Sequence, residues 1–305
     1  MCTTTIVTPG ATVDGSMFVT HSDDNDLGDE RLIYVPAADH EPGSQRPVYP
    51  WLVGYPRLVC AGRSPAYDIP GFAPTEPLGY IPQAAHTYAY YDADYGIMNE
   101  HQLCFGECTD AAQKYERKEG DADHLFYSAE LSRVALERCK TAREAVELMG
   151  ELIDTYGYYG TGETLPLGDP EEAWVFEMCA VPDGKGLWVA KKVPDGEVFV
   201  AANEFRIRDV DPDDPDMPFS PNLFSEAERL GWWSPDDGPL DWLQTVSWGE
   251  YNHPYYSLRR VWSVLNRVNP SKKLSAWVKD GYTREYPFSI KPEKPLTLKD
   301  VMGLH

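Results

Sequence analysis

The sequence predicts an α+β protein built on antiparallel sheets, and three observations carry that expectation. β-branched runs punctuated by Gly and Pro open the chain and return over 174–202, helical patterns gather in 125–157, and strands do not alternate with helices. At the start, Thr3, Thr4, Thr5, Ile6, Val7 and Thr8 precede Pro9-Gly10 and Asp14-Gly15, and Met17, Phe18, Val19 and Thr20 follow. That order is a hairpin whose first strand carries Cys2 at its tip. Residues 27–90 are rich in Pro, Gly and Tyr without a sustained period, and read as loops and short strands able to line a pocket. Residues 95–106 read as two strands about a turn at Asn99-Glu100. Thr141 with Glu144 makes a capping box, after which Ala145, Val146, Met149, Leu152, Ile153 and Tyr156 keep helical spacing until Gly157. A helix over 129–139 precedes it. Residues 174–181, 187–193 and 198–202 read as three strands, with Asn203 at the end of the last. The Asp- and Pro-rich stretch 209–218 reads as surface loop, and 256–268 as one more helix.

The chain has 305 residues, 42% hydrophobic, which permits a sizeable core in one large domain or two small ones. Its 27 Lys and Arg against 49 Asp and Glu leave a net charge of −22. Such a field repels phosphate backbones and anionic headgroups, so neither a nucleic acid nor a membrane is expected as a partner. No apolar run reaches the roughly 20 residues that span a bilayer, and the first residues lack the basic-then-apolar pattern of an export signal. The six cysteines are scattered along a long chain, which favours a reducing compartment and a cytoplasmic protein.

Several signatures of bound groups are missing. No two histidines have the spacing of a helical zinc site, and Cys104 with Cys108 lacks a second ligand pair. There is no phosphate loop, and Gly160-Thr161-Gly162 lacks the third glycine of a dinucleotide fingerprint. The acidic run 22–28 has its glycine and its twelfth position wrong for a calcium loop. Its carboxylates either serve Cys2 or are solvated. The expectation is therefore no metal and no organic cofactor.

Cys2 carries the most chemistry. Removal of Met1 would leave one residue with both a thiol nucleophile and a free α-amine, whose pKa of roughly 7.7 to 8.0 suits it to take a proton and return it. A lone cysteine near a terminus is, by itself, more often an ordinary buried thiol.

The spacing around it is more specific. Cys2-Thr3-Thr4, then Asp14-Gly15-Ser16, then Thr20-His21-Ser22-Asp23-Asp24 resembles the opening of the dipeptidase A family of cysteine peptidases, in the N-terminal nucleophile hydrolase superfamily. Further matches are Asn99-Glu100-His101, the run from Glu130-Leu131 to Glu144-Ala145, Tyr156-Gly157-Tyr158, Glu172 to Glu177, Asn203, and Arg259-Arg260-Val261-Trp262. The resemblance implies a single domain over 1–305 with a four-layer αββα sandwich of two antiparallel sheets between helical layers, ending short of the relatives, which continue past 296–302. It implies hydrolysis of dipeptides, with a small peptide as substrate; the sequence leaves the assembly state open, a homo-oligomer among the possibilities.

The same resemblance assigns roles. Cys2 is the nucleophile, Asp24 orients its thiol or amine, Asn203 holds the amine from the other side, and Asn99 donates to the oxyanion. Asn99 reads equally as a turn residue, and Asp24 as part of a solvated loop. His21 stands where acylase relatives carry arginine, so it offers the thiolate a positive charge only when protonated, or else packs. Arg260, with Arg259 as alternate, neighbours the nucleophile, since only one of two adjacent helical residues points inward. The rivals are an acylase of non-peptide amides of the penicillin V or bile-salt type, and a non-catalytic binding protein that retains the fold.

Overall fold

The computed structural model describes residues 1–120 and 123–305. The opening hairpin is β1 (Cys2–Val7) and β2 (Phe18–Asp23), followed by β3 (Ile33–Val35). β4 (Ala38–Asp39), β5 (Gln45–Val48), β6 (Gly79–Pro82) and β7 (His86–Thr87) form two ribbons, β4 with β7 and β5 with β6. Next come β8 (Tyr90–Asp92), β9 (Gly96–Asn99), β10 (Cys104–Phe105) and β11 (Cys108–Asp110). The helical pair α1 (Ser128–Arg138) and α2 (Ala142–Tyr156) leads to β12 (Gly162–Gly168), β13 (Ala173–Cys179), β14 (Leu187–Val193) and β15 (Val198–Ala201). α3 (Leu223–Arg229), α4 (Trp242–Val246), α5 (Leu258–Val268), β16 (Ser289–Ile290) and α6 (Leu298–Met302) complete the described elements.

Among the described residues there are two main sheets, both antiparallel. The smaller runs β16-β15-β1-β2, and the larger β14-β13-β12-β10-β9-β8-β3, with β11 also paired to β12. The expected α+β character with antiparallel sheets is what the chain adopts. No helix of the described residues is long and apolar enough to cross a membrane.

Strand alternation decides which apolar cluster each side chain joins. In β13, Trp174, Phe176 and Met178 pack with Ala145, Met149 and Ile153 of α2, while Ala173, Val175 and Cys179 pack with Ile6, Phe199 and Ala201 of the smaller sheet. In β15, Val198 and Val200 turn the other way, onto Val261, Val264, Leu265 and Val268 of α5. β1 is therefore an inner strand, covered by the larger sheet on one face and by α5 on the other. Its first residue lies at the edge of the cluster between the sheets.

Two departures from the sequence reading bear on the site. β12, a central strand of the larger sheet, was unexpected because Gly162, Pro166 and Gly168 lie in it and every one of its residues is buried, which erases the alternation. Opposite Pro166, which has no N–H to give, the ladder breaks between β10 and β11: Gly106 N still donates to Pro166 O at 2.8 Å, no bond returns, and Glu107 is freed from the pairing. At Gly106 a Cβ would stand 2.4 Å from Thr4 Oγ1, so glycine lets this break press against the hairpin and deliver Glu107 toward Cys2.

Candidate active site

Cys2 is held through its backbone from two directions. β15 ends at Ala201, and Asn203 then takes a left-handed conformation, φ 61°, which asparagine tolerates. That turn sends its side chain back to β1, where Oδ1 accepts from Cys2 N at 2.9 Å and Nδ2 donates to Thr109 O at 2.7 Å. Ser257, just before α5, donates to the Asn203 carbonyl at 3.0 Å, and so aligns the start of α5 with this turn.

From the first turn of α5, Arg260 donates through Nη1 to Cys2 O and to Thr3 Oγ1, and through Nη2 to Ala202 O and Asn203 Oδ1, each at 2.9 Å. Arg259 faces away, its guanidinium 3.7 Å from the centre of the Trp277 ring. The choice between the two arginines, open in the sequence, falls on Arg260 by geometry. Met1 still precedes Cys2 here, its N-terminus donating to Asp24 O at 2.9 Å. The Cys2 N–H on Asn203 therefore stands in for the α-amine of a chain that begins at Cys2.

The thiol lies among acids. Cys2 Sγ donates to Asp23 Oδ1 at 3.6 Å, and the side chains of Cys2, His21 and Glu107 place one potential ligand atom each within 4.8 Å of one another. Burial, then the carboxylates of Glu107 and Asp23, push the thiol pKa far up. Burial lowers the His21 pKa, so its imidazole is neutral at pH 7 and brings no positive charge to the sulfur. Its Nε2 is 3.3 Å from Glu107 Oε2, too poorly aligned for a hydrogen bond. Behind them, Glu163 accepts from the Tyr127 hydroxyl and from Thr161 Oγ1 at 3.2 Å. Burial and the Glu107 carboxylate raise the Glu163 pKa well above the usual range, so this pair keeps a proton to higher pH than free carboxylates do.

Two expectations are corrected by position. Cys2 pairs directly with Asp23 across the hairpin, so their side chains share a face; Asp24 follows the end of the strand and is exposed, bound to Met1 only through its backbone. The carboxylate beside the thiol is Asp23. Asn99 is not brought to Cys2 at all. Its Nδ2 donates to Leu136 O at 2.9 Å and Cys139 O at 2.8 Å, and its Oδ1 accepts from the N–H groups of His101 and Leu103. Every bond it can make serves the end of α1 and its own turn, which leaves nothing for an oxyanion.

A model of peptidase family C69 matches residues 1–304. The chain belongs to peptidase family C69. It is 28% identical over 297 residues to a probable dipeptidase of Salmonella dublin, covering 95% of this chain and 62% of that one. It is 26% identical over 312 residues to probable dipeptidase B of Lactococcus lactis subsp. lactis (strain IL1403), covering 98% of this chain and 59% of that one. The chain thus spans about three fifths of the length of these relatives. Among solved structures, penicillin V acylase from Agrobacterium tumefaciens is similar over 63% of this chain and 49% of that one, at 12% identity and a TM-score of 0.35.

In this C69 chain, two side-chain groups among the described residues have the spacing to hold a cation. One is Cys2, His21 and Glu107, a donor set of the kind zinc takes; the other is Asp23, Glu30 and Asp94. Glu107, Glu163, Glu30 and Asp94 were missed by sequence reasoning because they come from four separate segments. Asp23 lies on a strand that the sequence does announce, but that it faces Cys2 follows only from the register of that strand against β1.

Buried acids give the fold a pH dependence. Burial pushes Asp94 up to about 7, Glu204 up to about 7 and Glu177 up to about 8. In the unfolded chain these groups lose their protons near pH 4, whereas the folded chain keeps them to about pH 7 or 8, so stability falls as pH rises through that window. Glu130 acts oppositely. Burial alone would raise its pKa, but Arg63, Arg46 and Arg133 hold it well below the usual range, so its contribution is lost as pH falls below about 4. Thermal unfolding is expected at a higher temperature near pH 5 than near pH 8. An equal or higher midpoint at pH 8 would refute this balance.

Proposed function

We propose that this chain is the catalytic core of a cysteine dipeptidase with the N-terminal nucleophile hydrolase fold, in which Cys2, freed of Met1, forms an acyl-enzyme. The observation that carries the reading is the grip on Cys2: its backbone nitrogen rests on Asn203 and its carbonyl on Arg260, while its side chain faces inward. A residue so fixed at the end of an inner strand is positioned for attack. The succession of three apolar clusters, helix pair on larger sheet, sheet on sheet, and sheet on α5, supports a four-layer αββα arrangement within one domain. The names of the relatives, probable dipeptidase and probable dipeptidase B, support the substrate class.

The steps balance without a cofactor. The thiol gives its proton to the α-amine of the same residue as sulfur bonds to the peptide carbonyl carbon. The resulting ammonium returns that proton to the leaving amine as the C–N bond breaks, giving a thioester and the free C-terminal amino acid. Water then gives a proton to the α-amine and attacks the thioester, releasing the N-terminal amino acid and restoring the thiol. Asn203 Oδ1, already an acceptor for this nitrogen, keeps the amine oriented, and Arg260 fixes the backbone beneath it. Asp23 accepts from the resting thiol, and the neutral His21 packs beside it.

A panel of dipeptides assayed beside penicillin V and conjugated bile salts tests the reading. Turnover of dipeptides is expected, and turnover of the amides alone would overturn it.

A further inference from the structure

Beside Cys2 lies a second acidic group that the thiol chemistry does not use in full. Asp23, Glu30 and Asp94 each place one carboxylate oxygen within 4.8 Å of the others. Asp94 is 2% exposed; its Oδ1 accepts from Trp51 Nε1 at 3.2 Å, and its Oδ2 has no partner. Asp23 Oδ2 is also buried without a partner. The cations whose fields reach this group are committed elsewhere. Arg133 donates to Asp92, to Glu130 and to the carbonyls of Ala93 and Asp94, and Arg57 to the carbonyls of Asp29 and Arg31. His21 is neutral.

Asp94 keeps its proton to about pH 7 for want of a positive partner, and a buried acid with a bare oxygen and two acidic neighbours gives that proton up when a cationic donor arrives. We propose that Asp23, Glu30 and Asp94 form the subsite for the free α-ammonium of the substrate, so that the enzyme takes peptides with an unblocked N-terminus. This rests on Cys2 being the nucleophile. Three oxygens no more than 4.8 Å apart leave a point within about 2.8 Å of each, inside the reach of a charge-assisted N–H···O bond. In an amino acid the carbonyl carbon is about 2.5 Å from the α-nitrogen. Asp23 Oδ1 is 3.6 Å from Cys2 Sγ, so an ammonium on Asp23 brings the first carbonyl of the peptide to the sulfur. The arriving positive charge also offsets carboxylates that otherwise hold the thiol protonated, which couples nucleophile activation to the correct substrate.

The test is calorimetric binding to the full chain carrying Cys2→Ala, with Leu-Gly and N-acetyl-Leu-Gly as ligands. Leu-Gly is expected to bind at least tenfold more tightly than its acetylated form, and Glu30→Gln or Asp94→Asn should remove most of that difference. Glu30 is exposed, so its variant is a folded control for the buried Asp94. Equal binding of the two ligands overturns the proposal. So does binding of magnesium, calcium or zinc chloride that is lost in Asp94→Asn while the two peptides bind alike, since the site would then be a metal site. Because binding is read without turnover, a chain that prefers the free amine but hydrolyses nothing refutes the dipeptidase reading alone. A chain that hydrolyses both peptides equally through Cys2 refutes the subsite alone.

Discussion

Cys2→Ala is expected to lower kcat/KM for dipeptides by on the order of 10⁴-fold or more, since a nucleophile removed from a cooperating set takes most of the rate with it. Stability should change little. The sulfur makes one long hydrogen bond, to Asp23, and deleting so small a buried group costs about 1 kcal/mol. Progress curves and thermal melts on the same preparations separate the two effects. A loss of only about tenfold in rate would mean that sulfur is not the attacking atom.

The largest effect on stability is expected at Glu130, which makes no contact with the thiol. This carboxylate, 1% exposed on α1, accepts from Arg46 at 2.7 Å, from Arg63 at 2.8 and 2.9 Å, and from Arg133 at 3.2 Å. Glu137 meets Arg46 with two bonds, at 2.6 and 2.9 Å, and Asp92 meets Arg133 at 2.8 Å. Three cations are thus balanced by three carboxylates, and the cluster clips β5 and β8 to α1. Glu130→Leu leaves one buried guanidinium charge without an opposite and is expected to cost about 3 to 5 kcal/mol in urea unfolding. A loss under about 1 kcal/mol would mean that the cluster is hydrated and its charges are already compensated by solvent.

Where local chemistry sets structure, the sequence was legible. The capping box at Thr141 and Glu144 marked the start of α2, and the β-branched runs marked β1, β2 and β13 to β15. Where pairing register decides, it was not. Asp23 and Asp24 are adjacent in sequence, and only the pairing of Cys2 with Asp23 tells which one faces the thiol. Adjacent helical residues point about 100° apart, so the sequence could say that one of Arg259 and Arg260 turns inward but not which. Asn99 misled because a strand-end asparagine looks the same whether it serves a substrate or the end of a helix. Glu107 was out of reach because it enters the site through a break in the sheet opposite Pro166, a feature of two strands distant in sequence.

In the mechanism proposed, the α-amine of Cys2 is the base, which requires Met1 to be absent. Intact mass and dipeptide turnover measured on one preparation, before and after trimming with a methionine aminopeptidase, test it most directly. Turnover should rise in proportion to the fraction of chains that begin at Cys2. Full turnover by material in which every chain retains Met1 would contradict the account.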